Sequence, residues 1–260
     1  MSSIAFVVHK PTGVLSSRVD SRTTSIITKK SDPMRGQAYG GEPRLTVFDI
    51  AFKAGFPSDF SLVGRLDGET SGIMLFTKDM VLDKAIRDPP EDLSEQSEIK
   101  VKEYEIHMMG ERLCPENRVD YQELADELSE PFTFSRHGVV YSTQRATVTI
   151  QRHWQEAHLS RGQPHLGWCV QASVVIREGK HHQIRRMARR SDLSVICLQR
   201  IRIAGCLHLN SIPMPGDCRW LRVDEVEFLL SQIQSLRQTQ REIGKYNADK
   251  YEHLLSSEST

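Results

Sequence analysis

Gly64-Arg65-Leu66-Asp67-Gly68-Glu69-Thr70-Ser71-Gly72 runs directly into the apolar segment Ile73-Met74-Leu75-Phe76. Glycines around a single carboxylate permit unusual dihedrals and close approach of a ligand, and a short apolar strand behind them anchors the turn. The stretch reads as a carboxylate carried on a Gly-rich turn at the mouth of a buried strand. Spacing alone leaves two readings open: Asp67 capping a turn between solvated Arg65 and Glu69, or Asp67 presented to a ligand.

Strand periodicity recurs on either side of this turn. Trp168, Val170, Ala172, Val174 and Ile176 alternate with polar positions, as do Tyr104-Ile106-Met108 and Ala146-Val148-Ile150. Helical spacing appears at Val226, Leu229, Leu230 and Ile233, with Asp224 as N-cap, and again from Gln183 to Arg190, where Ile184, Met187 and Ala188 form one apolar stripe. Arg185 flanks that stripe, whereas Arg186 and Arg190 point away from it. Strands and helices alternate irregularly, which points to an α+β (mixed α/β) fold: a largely antiparallel sheet flanked by helices. The polar stretch from Ser17 to Arg44 reads as a long loop of the kind usually kept for function, and the chain is expected to fray beyond about Gln240.

The 260 residues are 38% hydrophobic and 26% charged, ordinary globular usage that excludes a disordered or fibrous chain. No segment approaches the roughly 18 consecutive apolar residues of a membrane helix. Met1 to Val8 is too short for a secretory signal and lacks the arginine of an organellar presequence. Five cysteines without a C-x-x-C pair suggest reduced thiols in the core and a reducing compartment: cytoplasm, nucleus or organelle matrix. Formal net charge is zero, but Arg177 to Arg202 holds eight Lys or Arg against two acids, a basic patch on an otherwise acidic protein. His181 and His182 are expected to point in different directions, no Cys/His spacing matches a zinc site, and no phosphate-cradling G-x-x-x-x-G-K-[ST] occurs.

Arg65-Leu66-Asp67-Gly68-Glu69-Thr70-Ser71-Gly72, an R-L-D-x-x-T-S-G pattern, resembles the catalytic motif of the pseudouridine synthases, whose aspartate corresponds to Asp67. Three more segments fall in that family's order. His9-Lys10-Pro11-Thr12-Gly13-Val14 resembles the N-terminal K-P-x-G motif, and Lys102-Glu103-Tyr104 resembles the K-x-Y motif whose tyrosine stacks on the target base. Glu178-Gly179-Lys180-His181-His182-Gln183-Ile184-Arg185-Arg186-Met187 resembles the segment that supplies the basic partner of the aspartate, here Arg185. Leu198 matches a pocket-lining leucine and Pro215 to Leu221 a closing segment; with the R-R-M form, the latter resembles the RsuA-type branch, which modifies ribosomal RNA. The similarity runs from about Ile4 to Leu230.

The resemblance implies the pseudouridine synthase fold with a central cleft, a catalytic domain over residues 1–232, and a C-terminal helix and frayed tail over 233–260. It implies isomerisation of a uridine in a structured RNA, with Asp67, Tyr104 and Arg185 as catalytic residues and a buried ion pair between Asp67 and Arg185. Substrate contacts are expected from Arg65, Lys10, Lys102, Gln183, Arg186, Arg189 and Leu198. Arg186, Arg189 and Arg190 are together expected to contact phosphates. Neither a cofactor nor a metal is expected, and the partner is RNA, ribosomal in kind, met by a monomer alone or with a ribosomal precursor or accessory RNA-binding protein. Moving uracil from a nitrogen to a carbon linkage requires glycosidic cleavage, which a carboxylate can assist as nucleophile at the anomeric carbon or as base at its neighbour. RsuA-type enzymes usually carry an N-terminal S4-type RNA-binding domain; here the motifs begin within ten residues, so anchoring through that module is expected to be missing, and the loop from Ser17 and the acidic Glu111 to Arg136 region are expected to differ most. Two other classes compete: a non-catalytic RNA-binding or ribosome-assembly protein on the same fold, and a glycoside hydrolase pairing Asp67 with Glu69.

Overall fold

The computed structural model describes residues 4–18, 44–87, 97–160 and 163–234. Its elements are β1 (Ala5–Lys10), α1 (Val47–Lys53), β2 (Ser61–Leu62), β3 (Ser71–Thr77), α2 (Met80–Arg87), β4 (Lys102–Met109), α3 (Tyr121–Ser129), β5 (Thr133–Arg136) and β6 (Val139–Ser142). They continue with β7 (Thr147–Ser160), β8 (Gln163–Ile176), α4 (Gln183–Arg190), β9 (Ser194–Ile203), β10 (Leu207–His208) and β11 (Cys218–Trp220), and a final helix, α5, occupies 223–234. The main sheet has the order β11-β1-β3-β9-β4-β8-β7, with β2 beside β3 and β10 beside β9; β5 and β6 form a separate hairpin.

Among the described strands every pairing is antiparallel except one. β3 meets β9 in parallel over only Ser71↔Gln199 and Gly72↔Arg200, so the sheet consists of two antiparallel halves joined by a two-residue step. Antiparallel ladders follow from short connections, but a parallel contact needs a long crossover; here the chain travels through β4 to β8 and α4 before β9 returns beside β3.

Both faces of β1 and β3 are covered, which explains their unbroken apolar runs. Phe6, Val8, Met74 and Phe76 face one layer with Tyr104, Ile106 and Met108, covered by α1, α3 and α4. Ala5, Val7, Ile73 and Leu75 face the other, covered by α2 and by Leu229 and Ile233 of α5. The alternation expected on β4 and β8 is present, with Tyr104, Ile106, Met108, Val170, Ala172, Val174 and Ile176 buried.

Three expectations change. α5 begins at residue 223, so Asp224 lies in the first turn, and the backbone N–H at the helix entrance, that of Arg222, is taken by Glu225 at 2.8 Å. The same helix runs continuously across the boundary drawn at 232, with Ile233 fully buried. Among the cysteines only Cys169 is a core residue; Cys197 is exposed and the others are intermediate. Most of the loop expected from Ser17 to Arg44 (positions 19–43) and the tail from 235 onward lie outside the described residues.

Candidate active site

A cleft of about 960 Å³ opens where the two halves of the sheet meet, on the face covered by α1, α3 and α4. Asp67 lies on its wall with Leu66, Tyr104, Leu198, His182 and Arg185. The six come from four parts of the chain: the turn before β3, the strands β4 and β9, and the entrance of α4. Tyr104 sits where β4 slips by one residue against β9, between the pairs Glu103↔Arg202 and Tyr104↔Arg200. Such a bulge re-aims a side chain, which suits a strand position opening on a cleft.

The K-P-T-G segment holds the Asp67 turn from below. Lys10 is fully buried, and its Nζ donates to the carbonyls of Pro11 (3.0 Å), Gly68 (3.2 Å) and Thr70 (2.7 Å). Gly13 N–H donates to Gly68 O at 2.8 Å. Ser16 Oγ donates to Leu66 O at 2.7 Å and accepts from Leu66 N at 3.1 Å. The turn is thus fastened on both sides of the carboxylate by the end of β1 and the segment that follows it. This corrects the expectation for Lys10: its ammonium is consumed by three carbonyls and does not reach into the cleft.

Burial pushes the Lys10 pKa down to about 8, while the charges of Asp67 and Glu69 pull it up and Arg200 pushes it further down. A lysine whose folded pKa lies below its unfolded value releases its proton on folding in the window between them. Native stability therefore rises with pH from about 8 toward 10.5 on account of this group. Lys102, also lowered to about 8 by burial, acts in the same direction. Lys10→Met should shallow the rise of the urea midpoint between pH 7.5 and 9.5. Losing donors to three carbonyls costs about 1 to 3 kcal/mol per orphaned group, but the variant is also relieved of a buried charge. We expect a net stability change under about 2 kcal/mol and an activity loss of at least about tenfold through the loosened turn.

α4 supplies the opposite wall. Arg185 Nε stands 3.8 Å from Asp67 Oδ2, and its Nη2 is 3.5 Å from Thr70 Oγ1. The two charged side chains are 26% and 36% exposed, so the pair is partly solvated rather than buried as expected. Arg185→Ala should cost at most about 1 kcal/mol in urea unfolding, far from the roughly 3 to 5 kcal/mol of a broken buried pair, while its effect on turnover is larger.

Other expected contacts are placed differently. Lys102 Nζ is buried against Ile86 O (2.9 Å) and Lys100 O (3.2 Å). The Gln183 amide is spent on the preceding loop: Nε2 donates to Glu178 Oε1 at 2.8 Å and Oε1 accepts from Lys180 N at 3.0 Å. Gln183 lines the cleft with its amide already engaged, and Lys102 does not line it. Arg65 is exposed on the cleft wall, whereas Arg189 is exposed outside it. Arg186 does not point freely to solvent: its guanidinium lies 4.3 Å from the centroid of Phe134, and Nε donates to His181 O. Nor is Arg177 to Arg202 one basic surface. Arg200 is buried, Arg202 pairs with Glu103 at 2.7 Å, and Arg190 packs on Phe132.

The histidines also correct the sequence reading. Their rings are stacked, 3.8 Å between centroids and 14° apart, and His182 Nε2 is 3.3 Å from Asp67 Oδ1. His182 and the cleft-lining Arg136 of β5 escaped the sequence reading as site residues. The only available signal for His182 was its place within the segment carrying Arg185. Glu69 is exposed and does not line the cleft, so the Asp67–Glu69 pair of a glycoside hydrolase is not assembled there. Among the described residues no cluster of three or more His, Cys, Asp or Glu side chains could hold a metal ion, and no helix is long and apolar enough to cross a membrane.

Comparison with known proteins places this geometry. The family model for RNA pseudouridylate synthase matches residues 4–190. An uncharacterized RNA pseudouridine synthase of Bacillus subtilis is 25% identical over 226 residues, 87% of this chain and 73% of that protein. The ribosomal large subunit pseudouridine synthase B of Vibrio vulnificus is 30% identical over 195 residues, 74% of this chain and half of that protein. A crystal structure of a pseudouridylate synthase superposes with a TM-score of 0.54 at 19% identity, covering 88% of this chain and 74% of that one, which shows a common fold.

Proposed function

Since this chain belongs to the RNA pseudouridylate synthase family, we propose that it converts a specific uridine of a structured ribosomal RNA to pseudouridine, with Asp67 as the reactive carboxylate. The observation that carries the assignment of Asp67 is its mounting. It sits on a turn fastened by Lys10, Gly13 and Ser16, on the wall of a cleft that also holds Tyr104 and Leu198.

In this reading an extruded uridine enters the cleft, and Tyr104 and Leu198 supply apolar surface against which the uracil ring packs. Asp67 acts on the ribose at the anomeric carbon or its neighbour, while Arg185 orients the carboxylate. The uracil turns, its C5 replaces N1 on the sugar, C5 loses a proton and N1 gains one, so the reaction balances as an isomerisation. Arg65 at the rim, Arg136 on the hairpin and Arg18 are cleft cations that pair with no carboxylate among the described residues, and they suit phosphates flanking the target.

A ribosomal substrate is supported by the relative whose name specifies the large ribosomal subunit. The test is to map pseudouridine across total RNA from cells with and without the gene, then to add purified protein to the unmodified RNA. The expected result is one or a few ribosomal positions lost with the gene and restored by the protein. A map unchanged by deletion, together with no product in vitro, would leave the fold without its activity and favour a non-catalytic RNA-binding role.

A further inference from the structure

We propose that His182 is a positioning residue for Asp67: its Nε2 holds Oδ1 while Arg185 holds Oδ2, and the stacked ring of His181 braces the imidazole from behind. The proposal rests on the pseudouridine synthase reading for the reaction it serves, but the contact itself belongs to the free protein.

Three observations lead to it. First, the Asp67 carboxylate is bracketed, with His182 Nε2 at 3.3 Å on one oxygen and Arg185 Nε at 3.8 Å on the other. A carboxylate held at both oxygens keeps one rotamer, and reactive groups displaced by about 1 Å can lose about a hundredfold in rate. At these lengths the contacts are looser than charge-assisted hydrogen bonds, as is common in a site without its substrate.

Second, the backbone at residue 182 is held in an unusual conformation by its neighbours. His182 caps α4 with φ 52° and ψ 30°, the left-handed region that few non-glycine residues adopt. Residues on both sides are pinned: Glu178 Oε1 accepts from Gln144 N at 2.6 Å and from Gln183 Nε2, and Gln183 Oε1 accepts from Lys180 N. Such strain persists only where the surroundings over-determine it, and it gathers at functional sites. Here it turns the side chain at the helix entrance toward Asp67.

Third, His181 is suited to brace and not to compete. Arg186 Nε donates to its backbone carbonyl at 3.2 Å. Burial holds its pKa below the usual imidazole value, with His182, Arg136 and Arg186 pushing in the same direction and Asp67 opposing. A neutral ring stacked at 3.8 Å limits the tilt of His182 without drawing the carboxylate to itself. The charged groups around the pair are therefore Asp67 from the turn before β3, Arg136 from β5, Arg185 and Arg186 from α4, and Lys180 from the connecting loop.

Glutamine places an amide nitrogen near the Nε2 position of histidine, asparagine places it one methylene short, and asparagine tolerates the left-handed backbone better. A donor role and a purely conformational role thus predict opposite orders. On the transcript bearing the mapped uridine, His182→Ala should lower kcat by about 10- to 100-fold with KM within about twofold, and His182→Asn should resemble it. His182→Gln should stay within about fivefold of the parent. Asparagine outperforming glutamine, or alanine within twofold of the parent, would overturn the proposal. A substrate-free readout separates it from the activity reading: the ¹⁵N shift of His182 Nε2 at pH 8 should move on Asp67→Asn while that of the remote His153 stays fixed. If the unmutated protein makes no pseudouridine, the activity reading fails alone; an Nε2 shift indifferent to Asp67→Asn removes the contact and this inference with it.

Discussion

Asp67→Asn should abolish pseudouridine formation, by about 10²- to 10⁴-fold or more, and leave a folded protein. The amide retains the volume and one oxygen of the side chain but loses the charge on which action as nucleophile or base depends. The stability cost is expected to stay within about 1 kcal/mol, because the side chain is a third exposed and both side chains that touch it, His182 and Arg185, are partly solvated. One indirect effect has a definite sign. Asp67 is one of two carboxylates pulling the Lys10 pKa upward, so its neutralisation lowers that pKa further and moves the proton-linked rise in stability to lower pH. Turnover on the mapped RNA and urea midpoints between pH 7 and 9.5 check both halves. Product at more than about a tenth of the parental rate would remove Asp67 from the chemistry.

Gly72→Ala should have the largest effect on stability of any single-atom addition near the site. Gly72 has φ 118° and lies in the parallel step, where an added Cβ would fall 2.3 Å from Arg200 O and 2.5 Å from Arg200 N. Both are backbone atoms of a neighbouring strand, so no side chain can swing aside. Overpacking costs about 1 to 3 kcal/mol and a disallowed dihedral about 1 to 3 more, against a total stability near 5 to 15. The variant should lose roughly 2 to 6 kcal/mol in urea unfolding, and any folded fraction should be slow, because the step carries the Asp67 turn. Gly68, with nothing near its hypothetical Cβ and no positive φ, is the control and should change stability by under about 1 kcal/mol.

Period-two alternation was enough to find β4 and β8, since each buries alternate side chains in one layer. β1 and β3 are covered on both faces and carry no alternation, so their place inside the sheet was hidden. The hairpin β5–β6 was also missed. Its His137-Gly138 turn adopts positive φ at both positions, but histidine is an unusual occupant there and the strands are four residues long. Cleft-lining residues were legible where they fell inside ordered motifs, as for Asp67, Tyr104, Arg185 and Leu198. Polar groups that look identical in sequence diverged by burial: Lys10, Lys102 and Gln183 face backbone or neighbouring side chains, whereas Arg65 faces the cleft.

The sequence by itself determined the fold class, the family and the turn that carries the carboxylate, because backbone freedom at glycine and apolar periodicity are local properties of the chain. Tertiary structure alone decided what surrounds Asp67. Lys10 is 57 residues from it and His182 is 115 residues away, and the stacking of His181 on His182 depends on a left-handed residue that a helix entrance imposes. Hydrogen-bond partners and pKa shifts follow from which groups lose water together, and that is settled only when β9 closes beside β3.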